Sequence, residues 1–187
     1  MAHLVDELPT VRLGVAEVRL ARNPVFLQTL LGSCVAATLW SPSLQIGAMC
    51  HGALPRCPEK MLRENDVQPR LRYVDYAIRY LLIRLCSLGA PRFELQVKLF
   101  GGADVLPLAG SRSTESVGHQ NCLSAIRTLE EESIPLTASD LGGKQGRVIY
   151  FRTDTGEVLL RRLSAGDLAA VDDAALAQEL REAESKT

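Results

Sequence analysis

The chain has 187 residues, 47% of them apolar and 23% charged, with a formal net charge of -1. Those proportions suit a single folded domain, and the near-neutral charge excludes any global pull toward nucleic acid or an anionic membrane. No apolar run reaches the roughly 18 residues of a spanning helix. The acidic opening "MAHLVDELPT" lacks the basic-then-apolar order of a secretory signal. Cysteines stand at 34, 50, 57, 86 and 122. An odd number in a chain too long to need disulfide staples points to reduced thiols and a cytoplasmic setting.

In chain order, "VRLGVAEVRLA" (11–21) alternates apolar residues around Gly14, and "VFLQTLL" (25–31) is a mostly apolar run. "VAATLW" (35–40) and "QIGAMCHGAL" (45–54) flank the turn "SPSL" (41–44). Short strands joined by small turns predict an antiparallel meander. Residues 56–70 carry Pro58 and Pro69 without periodicity and read as an exposed loop. Val74, Ala77, Ile78, Leu81, Leu82, Leu85 and Leu88 then recur at three and four, predicting a helix packed on a sheet and stopped by Gly89 and Pro91.

"RFELQVKLF" (92–100) reads as a strand with Phe93, Leu95, Val97 and Leu99 on one face, running into a glycine turn at Gly101 and Gly102. A second helix is expected from Asn121, as its N-cap, to about Glu132. "RVIYF" and "EVLLRRL" around Asp-Thr-Gly predict a hairpin over 147–163, and Ser164 onward reads as an Ala-rich helical tail. The division is a flexible tail over 1–10, one α+β domain over 11–163 and a helical tail over 164–187.

The chemistry lies in "LLGSCVAATLW" and "AMCHGALP". An unperturbed thiol is only a few per cent thiolate at neutral pH, and an imidazole that takes its proton makes it an efficient nucleophile. Two strands joined by a turn bring Cys34 and His51 within reach, while Gly32 and Ser33 let the backbone bend at the sulfur. N–H groups at that bend, Cys34's own among them, would hold an oxyanion. The competing reading is core packing, since a thiol also serves as a small hydrophobe. A zinc site at Cys34, Cys50, His51 and Cys57 is disfavoured, because neighbouring strand residues face opposite ways and no C-x-x-C occurs.

Four ordered blocks add a resemblance. "TLLGSCVAATLWSP" with "IGAMCHGALP", "RYVDYAIRYLLIRLCSLGAPRFELQVKLFGGADVL", the Gly-x-x-Asn at Gly118 and Asn121, and the run from Asp140 to Arg147 resemble the CheD family of chemoreceptor glutamine deamidases. The resemblance implies mixed or antiparallel, sandwich-like sheets flanked by helices, similar to the CheD/cytotoxic-necrotizing-factor cysteine hydrolases. It also implies a cofactor-free and metal-free protein-glutamine glutaminase with Cys34 as nucleophile and His51 as general base and acid. The family threonine that orients the histidine stands six residues before the cysteine, where this chain has Gln28; Thr29, five before, is the candidate. Gly32, Ser33 and Asn121 are expected to shape the site. The implied partners are the cytoplasmic domains of methyl-accepting receptors and a CheC-type phosphatase, the latter opening an adaptor role. A thiol amidohydrolase for another substrate is the third reading.

Overall fold

Alternation along the central strands sorts the apolar side chains onto two faces, and each face builds its own core. A computed structural model describes residues 8–104 and 116–163. Within them, β1 (Thr10–Arg12), β3 (Phe26–Leu31), β8 (Arg147–Arg152) and β9 (Val158–Arg162) form one sheet in the order β1-β3-β8-β9. The second sheet holds β2 (Val18–Ala21), β5 (Ile46–Gly52), β4 (Val35–Ser41), β6 (Gln96–Gly101) and β7 (Leu136–Leu141), in that order. Helices α2 (Val74–Ser87) and α3 (Val117–Glu131) cover the outer face of this second sheet, and a short α1 spans Glu59–Leu62.

Val35, Ala37 and Leu39 of β4 pack with Ala48 and Cys50 of β5 against Ile78, Leu81 and Leu85 of α2. The intervening residues, Ala36 and Met49, face the other way and meet Leu27, Leu31, Ile149 and Phe151 of the first sheet. The result is three layers, helices on sheet on sheet, with an apolar core in each gap. Burying one such leucine is worth about 1.5–3 kcal/mol, so the inter-sheet gap is held closed by many side chains.

The α+β, mixed-sheet sandwich is the architecture expected, but several local expectations give way. The first third is not a meander. β1 and β2 belong to different sheets, β1 pairs with β3 in parallel, and β3 pairs with β8 across the whole domain. Residues 56–70 are not a plain exposed loop: α1 and a 3-10 turn at Gln68–Arg72 lie there, with Cys57 and Arg70 buried. Phe93 is not on an inward strand face. It sits in a 3-10 turn and is 87% exposed, while the next residue, Glu94, accepts hydrogen bonds from the Ser41 and Ser43 hydroxyls. The second helix starts earlier than expected, with Ser116 as its N-cap accepting from the His119 N–H, so Asn121 is interior and fully buried. His119 accordingly rides the first turn of that helix. The Asp-Thr-Gly hairpin of β8 and β9 forms as expected; the predicted helix after Ser164 lies outside the described residues.

Candidate active site

His51 is the sixth residue of β5, opposite Ala36 of β4, and both face the gap between the sheets. Across that gap, β3 presents Thr29, whose Oγ1 lies 2.8 Å from His51 Nδ1. The Thr29 hydroxyl has one proton, and it donates that proton to the Leu13 carbonyl at 2.8 Å. Toward the imidazole, Oγ1 can then only accept, so Nδ1 carries the ring proton and Nε2 the lone pair. Nε2 is buried and makes no hydrogen bond among the described residues. Burial disfavours the charged ring and pushes its pKa down to about 4. At neutral pH His51 is therefore an uncharged base with its acceptor nitrogen unspent.

Cys34 immediately precedes β4, two residues before Ala36, and packs with Ala36 against the inter-sheet core, the side that His51 also faces. It is half-buried. Such same-face diagonal neighbours on paired strands stand about 7–8 Å apart at the backbone, within reach of longer side chains. None of the five cysteines is in a disulfide.

The bend before Cys34 is held by its carbonyls. Gly32 O accepts from the Ala103 N–H at 2.8 Å, and Cys34 O accepts from the Gly102 N–H at 2.7 Å. Ser33 O accepts from Asn121 Nδ2 at 2.9 Å. A trans peptide sets each N–H opposite the carbonyl it shares a plane with. The N–H groups of Ser33 and Cys34 are thereby aimed away from Ala103 and Asn121. This close approach dictates glycine: a Cβ on Gly101, at φ 109°, would stand 2.1 Å from Cys34 O, and one on Gly118 would stand 2.7 Å from Gly102 O.

Asn121 Nδ2 also donates to Ala53 O at 3.0 Å, so one amide ties the cysteine bend to the chain leaving β5. Both partners are carbonyls, which fixes the amide's orientation and leaves Oδ1 buried without a partner among the described residues.

The fold thus brings Cys34, His51, Thr29, Gly32, Ser33 and Asn121 into one neighbourhood. Gln28 goes elsewhere: its Nε2 donates to the Tyr150 hydroxyl at 3.3 Å, on the face of β3 turned away from His51. Cys50 faces the helices beside His51, and burial raises its thiol to about 12. Sequence reasoning missed the Leu13 carbonyl, which no side-chain pattern reveals, and the backbone of Gly102 and Ala103, for which the glycine pair was the available signal. It also missed Arg147, fully buried and bonded to the Asp140 carboxylate and the Gly142 carbonyl, which braces the loop whose Gly142 N–H bonds Gly101 O at 2.8 Å. Acyl transfer from a carboxamide calls for a thiol, a neutral base and backbone donors, the kinds of group that Cys34, His51 and this bend bring together.

Comparison with known proteins points to one family. Residues 54–162 match the family model described as CheD chemotactic sensory transduction. The chain is 40% identical over 158 residues to the probable chemoreceptor glutamine deamidase CheD 2 of Geobacter sulfurreducens, covering 84% of this chain and 92% of that protein. It is 32% identical over 158 residues to the chemoreceptor glutamine deamidase CheD of Halalkalibacterium halodurans, covering 84% and 96%. A probable CheD of Pyrococcus horikoshii is 34% identical over 157 residues, covering 83% and 94%.

Proposed function

The chain belongs to the CheD family, and from that premise we propose that it hydrolyses side-chain amides of chemoreceptor glutamines to glutamate, with Cys34, His51 and Thr29 as its catalytic machinery. One observation carries the assignment of roles: the Thr29–His51 contact places the imidazole lone pair at Nε2, on the face of the sheet that Cys34 shares.

In the first half-reaction the Cys34 thiol gives its proton to His51 Nε2 as the sulfur attacks the amide carbon. The carbonyl oxygen becomes an oxyanion directed at the Ser33 and Cys34 N–H groups. Collapse of this adduct returns the proton from His51 to the departing nitrogen, releasing ammonia and leaving a thioester on Cys34. Water then attacks the thioester carbon while His51 takes one of its protons, and that proton goes back to the sulfur as the glutamate carboxylate leaves. A ring whose pKa is held near 4 by burial is uncharged at rest. The proton therefore moves with attack rather than forming a standing thiolate–imidazolium pair, and a strongly acidic imidazolium passes it readily to nitrogen.

Thr29 is a positioning residue that fixes the tautomer and ring orientation. The same reading puts the protein in the cytoplasm with the receptor domains it modifies; among the described residues no helix is long and apolar enough to cross a membrane. Binding to a CheC-type phosphatase would accompany catalysis rather than replace it, since a pure adaptor has no use for an imidazole oriented through a second sheet.

The test is mass spectrometry of a receptor cytoplasmic fragment incubated with the protein. Exchange of NH2 for OH adds about one mass unit per modified glutamine in wild type and none with Cys34→Ala. Gain that persists in Cys34→Ala rejects the nucleophile, and no gain on any receptor rejects the substrate class.

A further inference from the structure

The polypeptide leaving β5 runs from Ala53, tied to the cysteine bend through Asn121, into a groove of about 320 Å³ between α2, α3 and Pro55-Arg56. The Ser124 hydroxyl of α3 donates to the Pro55 carbonyl and fixes this corner. The acids of the groove are already matched. Asp75 accepts from the Cys57 and Tyr76 N–H groups at 2.9 and 2.7 Å, and Arg79 bonds the Glu131 carboxylate and lies 3.8 Å from Asp75. Arg56 and Arg127 are different: both line the groove, both are exposed, and neither has a hydrogen bond or ion pair among the described residues. The groove therefore presents two uncompensated guanidinium groups in a concave polar setting, the geometry that takes carboxylates.

Resting on the deamidase reading, we propose that this groove docks an acidic stretch of the substrate helix and so selects which glutamine reaches Cys34. Arg56 follows Ala53 by three residues, at most about 11 Å of chain, and Ala53 adjoins the cysteine bend. A helical substrate rises 1.5 Å per residue, so the recognised Asp or Glu falls within about ten residues of the target glutamine. Arginines at this distance from the reacting carbon hold substrate and transition state alike, which sets KM and leaves kcat alone.

The experiment compares wild type with Arg56→Glu/Arg127→Glu on a receptor cytoplasmic fragment and on carbobenzoxy-glutaminyl-glycine, a donor too short to reach the groove. Expected is a KM for the fragment raised about five- to tenfold with kcat within twofold, and no change on the short donor. Lys in place of the substrate acids is expected to reverse the preference, favouring the variant. A fragment KM that ignores the double reversal overturns the proposal. Fluorescence anisotropy of the labelled fragment on Cys34→Ala protein separates the two readings. Charge-dependent binding without any deamidation by wild type rejects the chemistry and keeps the groove, whereas binding that the reversal leaves unchanged rejects the groove.

Discussion

Lowering the pH tests whether His51 is the buried neutral base that the geometry describes. Its pKa falls from 6.5 in the open chain to about 4 in the fold, because burial penalises the imidazolium. Above pH 6.5 both states hold the ring neutral, and it adds no pH dependence. Between pH 6.5 and 4 the unfolded chain binds a proton that the folded one refuses, so stability falls as pH falls and levels off below 4. A shift of this size corresponds to about 3 kcal/mol at roughly 1.36 kcal/mol per unit, a large fraction of the 5–15 kcal/mol typical of a domain.

Urea denaturation at intervals from pH 7.5 to 4, on wild type and His51→Asn, isolates the effect. Carboxylates held low by partners, such as Glu132 against Arg92 and Arg79, titrate in both proteins and cancel in the difference. Wild type is expected to lose about 3 kcal/mol more than the variant over that range. For catalysis, the acid limb of kcat/KM is expected near pH 4–5, well below the 6.5 of a solvated histidine. Parallel stability curves, or an acid limb at 6.5, would refute the buried-base argument.

Thr29→Val keeps the shape but removes the acceptor for Nδ1–H and the donor to Leu13 O. An unpaired buried group costs about 1–3 kcal/mol, and a comparable loss of orientation lowers kcat roughly thirtyfold; Thr29→Ser is expected to restore it, and wild-type kcat in the valine variant counts against the positioning role. Gly101→Ala is expected to destabilise by roughly 3 kcal/mol and abolish deamidation, because backbone that cannot yield meets the new Cβ at positive φ. Gly142→Ala, with φ 72° but nothing within 4 Å, is the control. Its unfolding free energy, from urea denaturation, is expected to change by about 1 kcal/mol with activity kept.

What could be read in advance was periodicity. The central helix and the last hairpin are local patterns that the residues alone carry; the cysteine–histidine pair stood beside a core-packing reading until the four ordered blocks were set against a known family. Pairing partners are not local. Leu31 finds Arg147 in the register of β3 and β8, more than a hundred residues along the chain, and nothing in either strand names the other. The early strands therefore read as a meander.

Phe93 misled because apolar alternation cannot register that Glu94 has two serine hydroxyls to meet. Asn121 misled differently: an amide suits a helix cap, and the same donor capacity suits a buried staple between two carbonyls. Spacing alone also left Gln28 and Thr29 one register apart. In the fold it is Thr29 that contacts His51, while one-residue alternation sends Gln28 to Tyr150 on the far face.

The division of labour between the sheets has a consequence for how the site tolerates change. His51 lies on β5 and Cys34 directly precedes β4, the strand paired with it, so the β4–β5 register governs their separation. The Thr29 hydroxyl that contacts His51 comes from the other sheet and is itself anchored by the Leu13 carbonyl. The inter-sheet core of Leu27, Leu31, Met49 and Phe151 therefore sets the Thr29–His51 distance as directly as either residue does. A void there lets the sheets relax toward each other, and a hydrogen bond of 2.8 Å across the gap is sensitive to shifts of a few tenths of an ångström. The helical side is linked differently, through polar contacts rather than through its apolar core: Asn121 of α3 holds the Ser33 and Ala53 carbonyls. Changes in the inter-sheet core therefore act on the Thr29–His51 contact, and changes in α3 act on the bend before Cys34.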